Sequence, residues 1–212
     1  MRGRFLVLEG IDGCGKTTQL HQLAAWLPQS GLMPPGAELV LTREPGGTPL
    51  GQALRQLLLH PPEQAAPGER AELLLYAADR AQHVQGCIEP ALAAGHWVLS
   101  DRFSGSTTAY QGYGRGLDLA LIDQLEQVAT AGLQPDLCCW LQLEPQQAAL
   151  RRAGQRQDRI EAEGLAFLAR VHQGFAALSQ RPGWVTLAAD QSPQQVQQQL
   201  QQLLQTHLGL PA

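Results

Sequence analysis

Lys16 and Thr17 close a run that reads Gly10-Ile11-Asp12-Gly13-Cys14-Gly15-Lys16-Thr17-Thr18, which meets the spacing G-x-x-x-x-G-K-[ST]. Three glycines in six residues leave little side chain to pack, so the useful part of this loop is its backbone. Glycine lets that backbone wrap closely round a polyphosphate with successive N–H groups turned inward. A helix beginning near Gly15 adds its N-terminal dipole. Lys16 can then reach the β- and γ-phosphates, and the Thr17 hydroxyl can sit on Mg2+. The plainer reading is a tight strand-to-helix turn with a surface lysine. The apolar strand before the loop and the helical pattern after it favour a site for the phosphates of ATP or GTP.

A phosphate loop does not name a reaction, because switches, motors and small-molecule kinases share it. Other clusters bear on the choice. Arg43 follows the second apolar run and Arg102 the third. Ligands of open α/β sheets bind beyond the carboxyl ends of the strands, so Lys16, Arg43 and Arg102 converge on one crevice as a second anion site. Tyr76 and Arg80 stand four residues apart and share a helix face. They can stack and read a base, or Tyr76 can be core and Arg80 the partner of a nearby acid. Four arginines, Arg151, Arg152, Arg156 and Arg159, fall within nine residues around Gly154. Such a charge run is either a solvated helix face or a flap that closes over transferring phosphates. The six histidines are scattered, without metal-ligand spacing, and the NKxD guanine motif is absent.

The elements that must position these residues alternate. Residues 5–9, 38–42, 97–100, 137–143 and 184–188 read as short buried strands. Between them Leu20, Leu23, Ala24 and Leu27, and then Leu50, Leu54, Leu57 and Leu58, recur at helical spacing. Strands alternating with helices predict right-handed βαβ units and a parallel sheet covered on both faces. The Gln-rich tract 192–209 has low complexity, yet Val196, Leu200, Leu203, Leu204 and Leu208 form one stripe. Ser192 suits an N-cap, Pro193 the first helical position and Gly209 the end, so the tract reads as a docked amphipathic helix.

Composition sets bounds on partners. Among 212 residues the hydrophobic fraction is 44% and aromatics are 5%, which gives a Leu/Ala/Val core. A net charge of -4 offers no basic surface for nucleic acid or an anionic membrane. The four cysteines form no CxxC pair, and adjacent Cys138 and Cys139 point to opposite faces if they lie in a strand. Reduced thiols, no run of membrane-spanning length and no leader-like segment give the expectation of a cytoplasmic protein.

With these residues in hand the chain resembles the bacterial-type thymidylate kinases nearly end to end. The motifs are EGIDGCGKTT, TREPGGTPLG, LLLYAADRAQHV, SDRFSGSTTAYQGYGRG, PDLCCWLQL and DRIEAEG, in the family's order. The resemblance implies a P-loop NTPase fold of the α/β class. It would have a five-stranded parallel sheet with helices on both faces and a short Arg-rich lid at about 145–162, in one kinase domain over 1–212. It implies ATP + dTMP → ADP + dTDP with Mg2+ and a homodimer. Gly10, Ile11, Asp12, Gly13, Cys14, Gly15, Lys16, Thr17 and Thr18 would bind ATP. Asp12 would lie near the acceptor sugar and, with Thr17 and Glu161, near the metal. Asp101 and Glu161 would orient arginines or metal-bound water. Arg43 and Arg102 would hold the acceptor phosphate. Tyr76, commonly Phe in the family, would stack on thymine, with Arg80 on a ring carbonyl. Thr107, Tyr110 and Gln111 would complete the pocket, with Tyr110 crowding the 2′ position. Some relatives carry a catalytic arginine in the loop where this chain has Gly13, so the lid would supply it, Arg156 first and Arg152 second. Cys14 stands for a frequent alanine, as a small residue and not a nucleophile. The alternatives are a CMP- or UMP-type kinase and a P-loop ATPase switch that transfers nothing.

Overall fold

The computed structural model describes residues 2–62, 64–154 and 158–209; the side chain of Glu161 lies outside that description. Five parallel strands, β1 (Phe5–Glu9), β2 (Leu39–Arg43), β3 (Trp97–Asp101), β4 (Leu137–Gln142) and β5 (Trp184–Ala188), stand in the order β2-β3-β1-β4-β5. They match the five apolar runs to within a residue or so. Alternation along β1 sends Phe5 and Val7 to one face and Leu6 and Leu8 to the other, and each pair joins a separate core cluster. Cys138 and Cys139 divide between the two clusters in the same way, and all four cysteines are free thiols.

Helices cover both faces. α1 (Lys16–Trp26) follows β1; α2 (Pro49–Leu59) and α3 (Glu69–His83) lie between β2 and β3; α4 (Glu89–Ala93) leads into β3. After β3 come α5 (Ser104–Thr107) and α6 (Leu119–Thr130); after β4, α7 (Pro145–Arg151) and α8 (Leu165–Leu178); α9 (Pro193–Leu208) closes the order. α9 is the docked helix expected from its stripe. Ser192 and Gln195 form a capping box, and Val196, Leu200, Leu204 and Leu208 are buried against the body. The leucine period of α2 is real but its direction is not inward: Leu50 and Leu57 are exposed while Leu58 and Leu59 are buried. α2 packs mainly on α3, and its last turn also meets Arg159, whose backbone N and Nε donate to Leu59 O and Leu58 O. Two π-helical segments, Val84–Ile88 and Thr108–Gly114, extend α3 and α5. The second inserts Tyr110 and Gln111 into the interior, a use of wide turns that recurs at functional sites. Among the described residues no helix is long and apolar enough to cross a membrane.

Candidate active site

β1 delivers the phosphate loop to the middle of the sheet edge. Gly10, Gly13 and Gly15 take φ of 139°, 88° and 100°, a region that side chains rarely tolerate. A Cβ on Gly10 would meet Leu141 O at 2.7 Å, and one on Gly13 would meet Ala148 O at 2.9 Å, so the loop is pressed against β4 and α7. Gly15 caps α1 with no side-chain hydrogen bond, which leaves the N–H groups of the first turn for an anion. Thr17 and Thr18 sit exposed in that turn. Ile11 and Cys14 are core residues under the loop. Lys16 is turned back on the loop: its Nζ donates to Gly10 O at 2.9 Å and to Ile11 O at 3.1 Å, and lies 3.7 Å from Asp12 Oδ1.

β3 delivers the second cation. Arg102, at φ 73°, is a non-glycine residue in the left-handed region, a strained setting of the kind found at functional sites. Its Nη1 donates to Gly10 O at 2.9 Å and Ser106 Oγ at 3.0 Å. Its Nη2 donates to Asp12 Oδ1 at 2.8 Å and Tyr110 Oη at 3.2 Å. The guanidinium also lies over the Tyr110 ring, 5.1 Å from its centroid. Burial alone would raise the Asp12 carboxyl, but Arg102 and Lys16 outweigh it and hold it well below the usual carboxylate range. Asp12 is therefore anionic and already paired.

The pocket beside Arg102 opens between α2, α3 and the Thr108–Gly114 segment. Tyr76, Arg80, Thr107, Tyr110 and Gln111 line it, as does Asp12. Burial, with Glu72 nearby, raises the Tyr76 phenol, which stays neutral. Arg80 lines the pocket and is at the same time paired with acids. Its Nε donates to Glu44 Oε2 at 2.8 Å, its Nη1 to Thr107 Oγ1 at 2.9 Å and to Glu126 Oε1, and its Nη2 to the Phe103 carbonyl at 3.2 Å. Gln111 Nε2 donates to Glu72 Oε1 at 2.7 Å. Fully buried Glu72 also takes Arg115 and Arg159, which ties the segment carrying Asp158 and Ile160 over the pocket rim.

Not every expected residue joins this ring. Arg43 is exposed at the end of β2 and is not among the lining residues; Arg55 of α2 takes that place, its Nη1 bonded to Pro45 O at 2.9 Å. Arg152 lies over the phosphate loop, with its Cγ and Cδ 3.1 Å from where a Cβ on Gly13 would stand. Arg156 lies outside the described residues, as does the side chain of Glu161. Glu9 was missed by sequence reasoning. It is fully buried and accepts from Phe103 N at 3.0 Å, Ser106 N at 3.1 Å and Ser106 Oγ at 2.6 Å, which fixes the turn after β3. Its place as the last residue before the loop was its only signal.

For a divalent cation the fit rests on Asp101. Its Oδ1 is buried with no hydrogen-bond partner among the described residues, and Thr17 Oγ1 lies 3.4 Å from its Oδ2. An oxygen-only pair at the head of the loop suits Mg2+, which keeps most of its waters and takes few protein ligands. The described residues hold no group of three or more acidic, His or Cys side chains that could cage a metal alone.

A second hollow, on the outer side of the loop, is lined by Gly13, Gly15, Thr18, Arg151 and Gln191. Arg151 spans it, donating to Gly13 O at 3.4 Å and Ala189 O at 2.8 Å.

The geometry is thus a phosphate loop facing a pocket that pairs an aromatic ring with a guanidinium. A profile of the family described as thymidylate kinase matches residues 8–200. The chain belongs to the thymidylate kinase family. A thymidylate kinase of Synechococcus sp. strain RCC307 is 77% identical over 99% of both chains. One of Prochlorococcus marinus strain MIT 9313 is 66% identical over 99% of this chain and 97% of its own. The crystal structure of thymidylate kinase from Ehrlichia chaffeensis superposes with a TM-score of 0.75 at 33% identity, covering 97% of this chain and 100% of that one. The chain is accordingly a nucleoside monophosphate kinase, a phosphotransferase of thymidylate metabolism that uses ATP as donor, on a P-loop NTPase fold. Thymidylate kinases turn dTMP into dTDP, and a switch that transfers nothing is set aside.

Proposed function

We propose that the γ-phosphoryl group of ATP passes to the phosphate of dTMP at the junction of loop and pocket, with Arg102 between them. The observation that carries this reading is that one guanidinium bonds the donor loop at Gly10 and Asp12 and the acceptor wall at Ser106 and Tyr110. Two polyanions meeting head-on need fixed positive charge rather than proton transfer. The attacking phosphate oxygen is already ionised, its second pKa lying near ~6, so no general base is needed. Lys16 exchanges the loop carbonyls for phosphate oxygens. Arg102 holds the acceptor phosphate, with Arg43 and Arg55 adding positive field. Arg152 crosses the loop at Gly13 and supplies the lid cation there, a task also assigned to Arg156. Charges fixed before the reaction cost no reorganisation during it.

Tyr76 stacks on thymine and Arg80 reads a ring carbonyl, while Thr107 and Gln111 close the pocket and Tyr110 crowds the 2′ position. The outer hollow under Arg151 takes the donor's base. Thr17 and Asp101 would hold Mg2+, with Glu161 as a further acid; the ion would supply charge neutralisation on the donor phosphates. The chain acts as one kinase domain over 1–212, with the lid at 145–162, in the cytoplasm. It works as a homodimer: Leu50 and Leu57 of α2, Leu74 of α3 and Leu121 and Val128 of α6 are exposed apolar residues on three helices of which α3 packs against both of the others. Such a layer favours a self-complementary contact.

An ADP-release assay with ATP, Mg2+ and one monophosphate at a time tests the reading. Turnover is expected with dTMP, about 10- to 200-fold less with dUMP for the missing methyl, and none with CMP or UMP. Equal turnover on CMP or UMP, or ADP release indifferent to every monophosphate, overturns it.

A further inference from the structure

Arg80 carries five N–H donors, and the contacts above occupy four. One Nη2–H is left for a ligand, so the orientation of the guanidinium decides whether the pocket is offered a donor at all. Glu44, Thr107 and Phe103, three of the four residues that hold it, themselves line the pocket. The fourth is Glu126 on α6, which is not itself among the described lining residues and meets the pocket wall at Arg80. Its surroundings are unfavourable for a carboxylate. It is 8% exposed, its Oε2 has no hydrogen-bond partner among the described residues, and Glu44 and Glu9 add like charge from β1 and the end of β2. From α3, Asp79 and His83 complete the charged groups of the cluster around Arg80. Arg80 is the positive charge that makes this site tolerable.

We propose that Glu126 is a positioning residue for base recognition: ionised, it draws Nη1 of Arg80 towards α6 and so presents the Nη2 edge to the pyrimidine carbonyl. The proposal rests on the reading of Arg80 as the residue that meets the thymine ring. The charge matters as much as the shape. A carboxylate accepts a charge-assisted bond about twice as strong as a neutral one. A protonated Glu126 would bring an O–H into a place already crowded with Arg80 donors, and the guanidinium would swing towards Glu44. Burial pushes the Glu126 carboxyl up to about 7 against the pull of Arg80, so its charge changes within the working range.

The test compares wild type, Glu126→Gln and Arg80→Lys, with KM for dTMP, KM for ATP and kcat measured from pH 6 to pH 8.5. At pH 8.5 Glu126→Gln is expected to raise KM for dTMP about tenfold, with far smaller changes in kcat and in KM for ATP. The ratio of variant to wild-type KM should then shrink towards unity at pH 6, as wild type loses the same charge. The ionisation of dTMP itself cancels in that ratio. Arg80→Lys should raise KM for dTMP at every pH. If it does not, the reading of Arg80 fails and this proposal with it. If Arg80→Lys acts but the Glu126→Gln ratio is near one, flat with pH, or matched by equal losses in kcat, the positioning role alone is overturned. Should Glu126→Gln not fold, inhibition of wild type by thymidine, which carries no phosphate, decides. A several-fold rise in its inhibition constant from pH 8.5 to pH 6 supports the role, and a flat profile overturns it.

Discussion

Lys16 is held by the very loop it serves, through Gly10 O and Ile11 O. Phosphate binding must therefore exchange two neutral acceptors for anionic ones, which favours the move in a site this buried. Lys16→Ala removes that cation and leaves the α3 pocket untouched. Turnover should fall by about 10²–10³-fold or more, while dTMP binding measured by calorimetry stays within about threefold; unaltered turnover would remove the loop from the chemistry. At this scale the sequence was readable wherever function lies in a short run. The phosphate loop could be named from one contiguous run, Tyr76 with Arg80 from their shared helix spacing, and Arg102 from its place at a strand end. Glu44 and Glu126 could not be paired with Arg80, because 36 and 46 residues separate them. Arg55 was hidden for a similar reason: it and Arg43 are equally plausible cations until the tilt of α2 is known.

Elements were legible in kind and less so in direction. The three central strands β1, β3 and β4, buried on both faces, leave apolar runs that no surface helix would show, whereas the edge strands β2 and β5, expected to be buried, are partly exposed. α9 was legible through its caps. α2 was not, because a helix with leucines all round does not say which side meets the body. The phosphate loop links the two levels, since its glycines are demanded by the elements it touches. Gly13 has φ 88°, and a Cβ there would lie 2.9 Å from Ala148 O, a backbone atom of α7 that cannot turn aside. It would also press on the Arg152 side chain, which can. Gly13→Ala should therefore cost roughly 1–3 kcal/mol of stability, seen as a lower urea midpoint, and should raise KM for ATP more than KM for dTMP. A variant as stable as wild type, with both KM values unchanged, would mean that the loop is not pressed against α7 in solution.

For the molecule as a whole, buried charge makes stability and substrate binding respond to pH in opposite directions. Burial, with Glu44 nearby, pushes the Asp79 carboxyl up to about 6, and Glu126 lies at about 7. Burial opposes protonation of His83, but bonds to Cys87 and to Glu44 at 2.8 Å more than reverse this and lift it to about 9. All three lie above their unfolded values, so each contributes stability at low pH that is lost as pH rises through the folded value. Asp12 has the opposite sign, but its contribution fails only in strong acid, below the ordinary carboxylate range. The Cys87 thiol, pulled down by its hydrogen bond to His83, partly offsets the His83 loss over the same interval. The fold should therefore be most stable on the mildly acidic side, where Glu126 is protonated and Arg80 is released, and should bind dTMP best on the alkaline side. Urea denaturation from pH 4 to pH 10 should show two overlapping losses, one from the two carboxyls between about pH 4 and 7 and one from His83 between about pH 6.5 and 9, the second on the order of 3 kcal/mol before the Cys87 offset. His83→Gln should remove the second loss and spare the first. If the loss between about pH 6.5 and 9 survives in that variant, its source lies outside the His83–Glu44 pair, and the imidazolium beside Glu44 is not part of what holds the pocket in shape.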